Sequence, residues 1–149
     1  MKKRCLVTGV AGFIGSHLAE GLVKNGLEVL GLDCFTDYYA RDVKESNLAQ
    51  LRRESHFEFV EGDLLQLDLG PLLKDVDWVF HQAAQAGVRA SWSKVFHAYT
   101  NNNILGTQHL LETIRELGPS SRTSVEKIVY ASSSSIYGEA EEGKTIEEA

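Results

Sequence analysis

The stretch T-G-V-A-G-F-I-G, residues 8–15, places three glycines three residues apart between a predicted strand and a predicted helix. Gly9 permits a tight turn out of the strand, and Gly12 lets the backbone approach a bound phosphate closely. Gly15 lets the helix pack against the sheet. The free N–H groups at the start of a helix favour an anion there. The stretch therefore predicts a turn that binds a pyrophosphate.

An acidic residue, Asp33, follows the second predicted strand, 18 residues after Gly15. The glycine spacing is one residue wider than G-x-G-x-x-G, and a glycine pattern alone is weak evidence. The strand–turn–helix context strengthens it, because a carboxylate at this place accepts the ribose hydroxyls of NAD and repels the extra phosphate of NADP. The pattern predicts NAD binding. The alternative for Asp33 is a strand-end residue that caps a turn.

Apolar runs of four to six residues alternate with longer amphipathic segments along the chain. The predicted strands cover residues 5–8, 28–32, 56–61, 76–82 and 126–131, and the predicted helices cover residues 14–25, 40–54, 68–74 and 97–117. This alternation is typical of a parallel sheet with helices on both faces. We expect an α/β fold, a Rossmann-type doubly wound parallel sheet truncated after about five strands. Residues 1–149 would then form one incomplete NAD-binding domain.

The composition excludes several classes of protein. The 149 residues are 43% hydrophobic and 24% charged, with a net charge of −6 and no basic stripe, so we expect no nucleic-acid partner. No apolar stretch approaches the ~18 residues of a membrane span, so we expect no membrane partner. The two cysteines, Cys5 and Cys34, and the five histidines lack metal-ligand spacing. We expect no metal and a reducing, cytoplasmic setting.

Four later stretches form a set with the glycine turn and Asp33. They are residues 62–64 (G-D-L), 81–84 (H-Q-A-A), 103–107 (N-I-L-G-T) and 132–138 (S-S-S-S-I-Y-G). The set resembles the extended short-chain dehydrogenase/reductase family, the nucleotide-sugar epimerases and dehydratases that hold NAD tightly, and the resemblance covers the whole chain. Residues 33–39, residues 83–89 and the serine run look most like the UDP-glucuronate 4-epimerases.

The resemblance implies a role for each matching residue. It implies that the pyrophosphate lies among Gly9, Gly12, Phe13, Ile14 and Gly15, that Asp33 holds the adenosine ribose, that Asp63 and Leu64 flank the adenine, and that Ala83 and Ala84 line the nicotinamide side. Asn103 is implied to fix the backbone on the cofactor side, and its alternative is a structural asparagine. Arg89 is a candidate contact to an anionic UDP-sugar, and its alternative is an exposed loop arginine.

The resemblance also implies the chemistry. In the family, a tyrosine of a Tyr-x-x-x-Lys motif takes a proton from a sugar hydroxyl while hydride passes to the nicotinamide, and a Ser or Thr after the fifth strand hydrogen-bonds the same oxygen. Ser133, four residues before Tyr137, matches that Ser or Thr. Ser134 and Ser135 are register alternatives, and Ser133 and Ser134 are candidate substrate contacts. Dehydratases of the family carry Asp-Glu where this chain has Ser134-Ser135, which argues against a dehydratase.

None of the five tyrosines begins a Tyr-x-x-x-Lys motif. We therefore expect the NAD-binding portion of a nucleotide-sugar 4-epimerase, acting on UDP-glucuronate or UDP-glucose, and no turnover by these 149 residues alone. The alternatives are a non-catalytic NAD-sensing module or, within the family, a nucleotide-sugar decarboxylase or dehydratase. Family members pair through a helix that corresponds to residues 97–117, which implies a homodimer.

Overall fold

The computed structural model describes residues 2–87, 89–92, 94–118 and 125–137, without the side chains of residues 89, 90, 134 and 135. Five strands form one parallel sheet in the order β3-β2-β1-β4-β5. The strands are β1 (Arg4–Thr8), β2 (Glu28–Asp33), β3 (Phe57–Glu61), β4 (Trp78–His81) and β5 (Lys127–Tyr130). This order and the flanking helices confirm the predicted Rossmann-type fold.

Five α-helices connect the strands. They are α1 (Phe13–Lys24), α2 (Arg41–Leu48), α3 (Leu69–Leu73), α4 (Phe96–Tyr99) and α5 (Gly106–Leu117). Short 3₁₀ turns cover Leu51–Arg53, Arg89–Trp92 and Ser134–Tyr137, and a π-helical segment, Thr100–Leu105, joins α4 to α5. In the part of the chain that the structure describes, no helix combines the length and the apolar character that crossing a membrane requires.

Two predicted helices differ from the observed ones. The predicted helix over residues 40–54 ends at Leu48, because the chain tightens into a 3₁₀ turn that buries Leu51 in the core. The predicted helix over residues 97–117 is divided by the π-helical segment. Within that segment the Asn103 side chain bonds to the backbone of Gln85. Helical periodicity in the sequence does not predict this tertiary contact.

Alternation along the strands supplies two apolar cores, one on each face of the sheet. In β1, Leu6 enters one core and Val7 the other. The first core lies under α3 and α5 and contains Leu6, Leu30, Leu32, Leu64, Leu69, Leu73, Val76, Val79 and Leu110. The second lies under α1 and α2 and contains Val7, Val10, Ala11, Ala19, Val23, Val29, Leu48 and Leu51. Helices therefore cover both faces, as a doubly wound sheet requires.

The strand order reverses at β1, whose neighbours are β2 on one side and β4 on the other. The connections from β1 to β2 and from β3 to β4 therefore depart in opposite directions. In open parallel sheets such a switch point leaves a crevice beyond the carboxyl ends of the strands, where ligands bind. The glycine turn follows β1 at that position.

We expect Leu110→Ala to lower the free energy of unfolding by about 2–5 kcal/mol, because Leu110 is fully buried under the sheet. Leu111→Ala is the matched control on the same helix, with a side chain that is largely exposed, and should change it by less than about 1 kcal/mol. Urea unfolding of both variants measures the difference. Equal losses would contradict the observed packing of α5.

Candidate functional site

A cleft of about 420 Å³ opens at the carboxyl ends of β1, β2 and β4, where the strand order predicts a ligand site. Most of the residues that the sequence predicts as cofactor contacts line it. The lining includes Gly9, Gly12, Phe13, Ile14, Gly15, Asp33, Asp63, Leu64, Ala83 and Ala84, together with Thr8, Leu32, Cys34, Thr36, Tyr38, Tyr39, Lys44, Gly62, Gln82, Ala86, Asn101, Asn102, Gly106 and Ala131.

The glycine turn is shaped by close backbone approaches. Gly9 has a φ of +67°, and a Cβ there would lie 2.7 Å from the backbone nitrogen of Ala83. A Cβ on Gly15 would lie 2.2 Å from the carbonyl oxygen of Gly9. Neither position accepts a side chain without displacement of backbone, so glycine is required at both.

Helix α1 begins directly behind this turn without a capping side chain. Gly12 is the N-cap residue, and the first helical turn contains no acidic residue. Phe13 and Ile14 are largely exposed at the cleft. The N-terminal amides of a helix carry partial positive charge, so this helix end suits a phosphate group.

Asp33 fixes the second wall of the cleft. Its side chain is 9% exposed, and it accepts hydrogen bonds from the backbone N–H of Ala11 at 3.0 Å and of Phe35 at 2.8 Å. The first bond joins Asp33 to the glycine turn, and the second holds the loop after β2. Phe35 has a φ of +50°, unusual for a residue with a side chain. Asp33 therefore caps a turn, as its alternative interpretation proposed, while facing the cleft.

Lys44 lies beside Asp33 and is also buried. Its Nζ donates to the carbonyl oxygen of Thr36 at 2.7 Å and contacts the Thr36 hydroxyl at 3.2 Å. The same Nζ is 3.9 Å from Asp33 Oδ1 and 5.0 Å from the centre of the Tyr39 ring. Burial, followed by the charge of Asp33, raises the pKa of Tyr39, so its hydroxyl stays a donor. Helix α2 thus places the Lys44 ammonium group beside Asp33 at the wall of the cleft.

Asp63 and Leu64 lie where β3 ends. Asp63 Oδ1 accepts the backbone N–H of Leu65 at 2.8 Å, and Leu64 is buried in the first core while it lines the cleft. The Gly62 N–H donates to the carbonyl oxygen of Asp33 at 2.9 Å, which joins the end of β3 to the end of β2. Their position at the cleft is compatible with the predicted contact to an adenine base.

The floor of the cleft rests on a chain of hydrogen bonds through a buried histidine. The Ala83 N–H donates to Thr8 Oγ1 at 3.1 Å, and Thr8 Oγ1 is 2.8 Å from His81 Nδ1. His81 Nε2 is 2.9 Å from Thr107 Oγ1, which donates to the carbonyl oxygen of Asn103 at 3.0 Å. This order assigns the proton of neutral His81 to Nε2. Burial lowers the pKa of His81, in agreement with a neutral ring.

Asn103 binds backbone and does not line the cleft. Its Oδ1 accepts the N–H of Gln85 at 2.7 Å, and its Nδ2 donates to the Gln85 carbonyl at 3.1 Å. The two bonds hold the loop that carries Ala83 and Ala84, a backbone-fixing position, and a direct cofactor contact stays a prediction. Asn101 and Asn102 line the cleft instead.

The remaining predicted site residues are Arg89 and the three serines at 133–135. Ser133 is exposed just after β5, and its carbonyl accepts the N–H of Ile136 at 3.1 Å. In this segment Ala131 is a lining residue of the cleft. The side chains of Ser134, Ser135 and Arg89 are outside the part of the chain that the structure describes. The roles assigned to these residues stay predictions.

Sequence reasoning missed Lys44, Tyr39 and the Asn101–Asn102 pair. Lys44 lies in a charged helix, where a lysine is normally exposed, and only the packing of α2 reveals its burial. The three consecutive asparagines from Asn101 were the available signal, because such a run is unusual in a helix.

Both cysteines are free thiols. Burial raises the pKa of Cys5 to about 11, and burial together with Asp33 and Asp63 raises the pKa of Cys34. Both therefore favour the thiol over the reactive thiolate near neutral pH. Over the described ranges, His, Cys, Asp and Glu side chains form no group of three that could hold a metal.

Comparisons with known proteins agree with this geometry. The model of a family described as GDP-mannose 4,6 dehydratase matches residues 6–149. A Bacillus subtilis protein named as an uncharacterized UDP-glucose epimerase is 46% identical over 97% of this chain and 44% of its own length. UDP-glucuronate 4-epimerase 2 of Arabidopsis thaliana is 44% identical over 89% of this chain and 30% of its own.

Solved structures give the same result. The crystal structure of UDP-glucuronic acid 4-epimerase from Bacillus cereus, in complex with UDP-glucuronic acid and NAD, matches with a TM-score of 0.86 and 42% identity, over 97% of this chain and 44% of that one. UDP-glucose 4-epimerase from Thermus thermophilus, in complex with NAD, matches with a TM-score of 0.73 and 38% identity, over 97% and 42%. The chain spans less than half the length of these relatives.

We expect Gly15→Ala to lower the free energy of unfolding by about 1–3 kcal/mol, because its Cβ would collide with the Gly9 carbonyl. Gly21→Ala is the control in the same helix, where an added Cβ meets nothing within 4 Å. That variant should gain about 0.5–1 kcal/mol from helix propensity. Denaturant unfolding measures both, and changes of the same sign would contradict the close approach at Gly15.

The lowered pKa of His81 predicts a pH dependence of stability. The unfolded chain binds a proton near the ordinary histidine pKa of 6.5, whereas folded His81 binds it only at lower pH. Stability from this group is therefore complete above pH 6.5 and is lost as pH falls through the folded pKa. We expect His81→Gln to show less of this acid-side loss in urea titrations. The exposed control His97→Gln should retain it, and equal curves for His81→Gln and the parent would refute the assignment.

Proposed function

Since the chain belongs to the family of nucleotide-sugar epimerases and dehydratases within the extended short-chain dehydrogenases/reductases, we propose that it is the NAD-binding portion of a nucleotide-sugar 4-epimerase. The substrate we propose is UDP-glucuronate or UDP-glucose. One observation carries the proposal. At the switch point of the sheet, the glycine turn leads into a helix N-terminus without a capping side chain, and Asp33 lines the same cleft.

The residues present fit NAD. The glycine turn, formed by Gly9, Gly12 and Gly15, leaves room for a pyrophosphate at the start of α1. Asp33 uses one position on each carboxylate oxygen for a backbone N–H, and a carboxylate has about four such positions, so acceptor capacity remains for ribose hydroxyls. Asp63 and Leu64 would flank the adenine.

Small side chains suit the reacting end of the cleft. Ala83 and Ala84 line it where a nicotinamide ring needs space. The Ala83 N–H donates to Thr8 Oγ1, which is itself held by His81. Bound NAD would supply reversible hydride transfer to and from the sugar. Ser133, after β5, would hold the sugar oxygen that loses its proton, with Ser134 and Ser135 as register alternatives. Their Ser-Ser sequence, in place of Asp-Glu, favours an epimerase over a dehydratase.

The proposed partners follow from the same reasoning. A UDP-sugar would approach the exposed segment after β5, and Arg89 is the candidate contact for its anionic groups. We propose a homodimer through the segment at residues 97–117, because it carries the exposed apolar side chains of Ile104, Leu105 and Leu111. The free cysteines and the acidic net charge support a cytoplasmic setting without a nucleic-acid partner.

Calorimetric titration with NAD and NADP tests the proposal. We expect NAD to bind more tightly than NADP by roughly tenfold or more, equivalent to about 1.4 kcal/mol, because Asp33 accepts hydroxyls and repels a phosphate. Asp33→Asn should weaken NAD binding and reduce this preference. Asp37→Asn is the control, since Asp37 is exposed on the same loop and does not line the cleft. A folded chain that binds neither nucleotide would refute the proposed function.

A further inference from the structure

Two loops meet across the outer side of the cleft, through residues to which the proposed function assigns no role. Tyr38, in the loop after β2, lines the cleft and is 54% exposed. Its hydroxyl reaches Gly87, in the loop after β4: a Cβ on Gly87 would lie 3.2 Å from it. Gly87 has a φ of +88°, which favours glycine. The missing side chain at Gly87 therefore allows the two loops to touch.

This contact completes a ring around the cleft. At the inner side, Gly9 of the glycine turn packs against the backbone of Ala83, at the start of the loop after β4. On the other flank, the Ala11 N–H donates to Asp33, and the Tyr39 hydroxyl donates to the carbonyl oxygen of Ala11 at 3.4 Å. The glycine turn, the loop after β2 and the loop after β4 thus touch one another in pairs, with the cleft between them.

The cleft extends beyond this ring in two directions. In the strand order β3-β2-β1-β4-β5, the three strands that lead into the ring are the central ones. Asp63 and Leu64, after β3, line the cleft on one side of them, and Ala131, after β5, lines it on the other. A ligand that occupies the cleft from end to end would therefore pass through the ring.

A dinucleotide has the shape that such a ring retains, because its two nucleosides are bulky and the pyrophosphate between them is narrow. In the proposed NAD site, the adenosine lies by Asp33 and Asp63 and the nicotinamide by Ala83 and Ala84. The pyrophosphate, at the glycine turn, would then be the part inside the ring. NAD would enter or leave only while the ring is open. A mononucleotide has one bulky end and can withdraw its phosphates from a closed ring.

Tyr38 is the part of the ring that is suited to open. The loop around it is held from α2, because the Thr36 carbonyl accepts from Lys44 at 2.7 Å. The opposite loop is held from α4, because the Ala86 carbonyl accepts from the Tyr99 hydroxyl at 3.2 Å. An exposed side chain changes rotamer much faster than loops move. Rotation of the Tyr38 side chain would therefore open the ring while both loops keep their positions.

We propose that Tyr38 is a gate for the dinucleotide: in contact with Gly87 it closes the ring around the pyrophosphate, and rotated away it lets NAD enter or leave. The inference rests on the proposed NAD-binding function and adds to it a control of exchange. A gate that closes equally with and without ligand slows association and dissociation by the same factor. It changes the rates of binding and leaves the affinity unchanged.

Stopped-flow fluorescence tests the gate. The binding of NADH, followed by its nicotinamide, and of ethenoadenosine diphosphate, followed by its base, is measured for the parent chain and for Tyr38→Ala. For NADH we expect both rate constants to rise roughly tenfold in Tyr38→Ala, as for a gate that is open about a tenth of the time. The Kd of NADH and both rate constants of the mononucleotide should stay within about twofold of the parent.

Tyr130→Ala is the matched control. Tyr130 is also an exposed tyrosine, at the end of β5, but it does not line the cleft, so all rate constants should keep their parental values. Tyr38→Phe keeps the ring and loses the hydroxyl that reaches Gly87. Its rate constants for NADH should lie between those of the parent and of Tyr38→Ala. If Tyr38→Ala does not fold, Tyr38→Phe replaces it, with the same direction of change.

The outcomes separate the two proposals. If the parent binds neither NAD nor NADH, the proposed function fails, and the gate fails with it. If NADH binds and its two rate constants are the same in the parent and the Tyr38 variants, only the gate is overturned. It is likewise overturned if dissociation alone becomes faster, which is the result of a lost contact to the ligand. A common increase for NADH and the mononucleotide would also overturn it, because a loosened loop has that effect.

Discussion

The close packing of backbone against backbone at the glycine turn is the constraint on which the rest of the structure depends. Gly9 lies against the backbone of Ala83, and Gly15 lies against the carbonyl of Gly9. These approaches bring together the ends of β1 and β4 and the start of α1. Because no side chain occupies the space, the amide groups of the helix end face the cleft directly. The phosphate site that we propose here would thus be formed by backbone groups.

Around that turn, the walls of the cleft are held by single side chains, each of which connects two structural elements through hydrogen bonds. Asp33 joins the turn to the loop after β2. His81 joins β1 to α5 through Thr8 and Thr107, and Asn103 joins the π-helical segment to the loop after β4. Each of these bonds fixes the backbone near a predicted cofactor contact. The cleft is therefore organised before a ligand binds, which reduces the ordering cost of binding.

The sequence predicts what is determined locally. Three signals can be recognised within a few residues of sequence: the glycine spacing, the strand-end Asp33 and the alternating apolar runs. They are sufficient to predict the sheet and the glycine turn. Lys44 and Asn103 have their hydrogen-bond partners outside their own helical segments, at Thr36 and Gln85. A lysine in a charged helix predicts exposure, and its burial arises only when α2 packs against the loop after β2. The hydrogen bond between Gln85 and Asn103 of the π-helical segment likewise joins residues 18 apart, so helical periodicity could not reveal it.

The π-helical segment has a consequence for how this region tolerates change in length. A π-helical turn corresponds to an α-helix that has gained one residue. In this segment Asn101 and Asn102 line the cleft, while Asn103 bonds to the backbone of Gln85. Deleting one residue would restore a regular helix, but it would rotate everything before the deletion by about 100° relative to α5. We expect such a deletion to preserve the helix but to move Asn101 and Asn102 away from the cleft. The number of residues between β4 and α5 is therefore constrained more strongly by the cleft than by the fold.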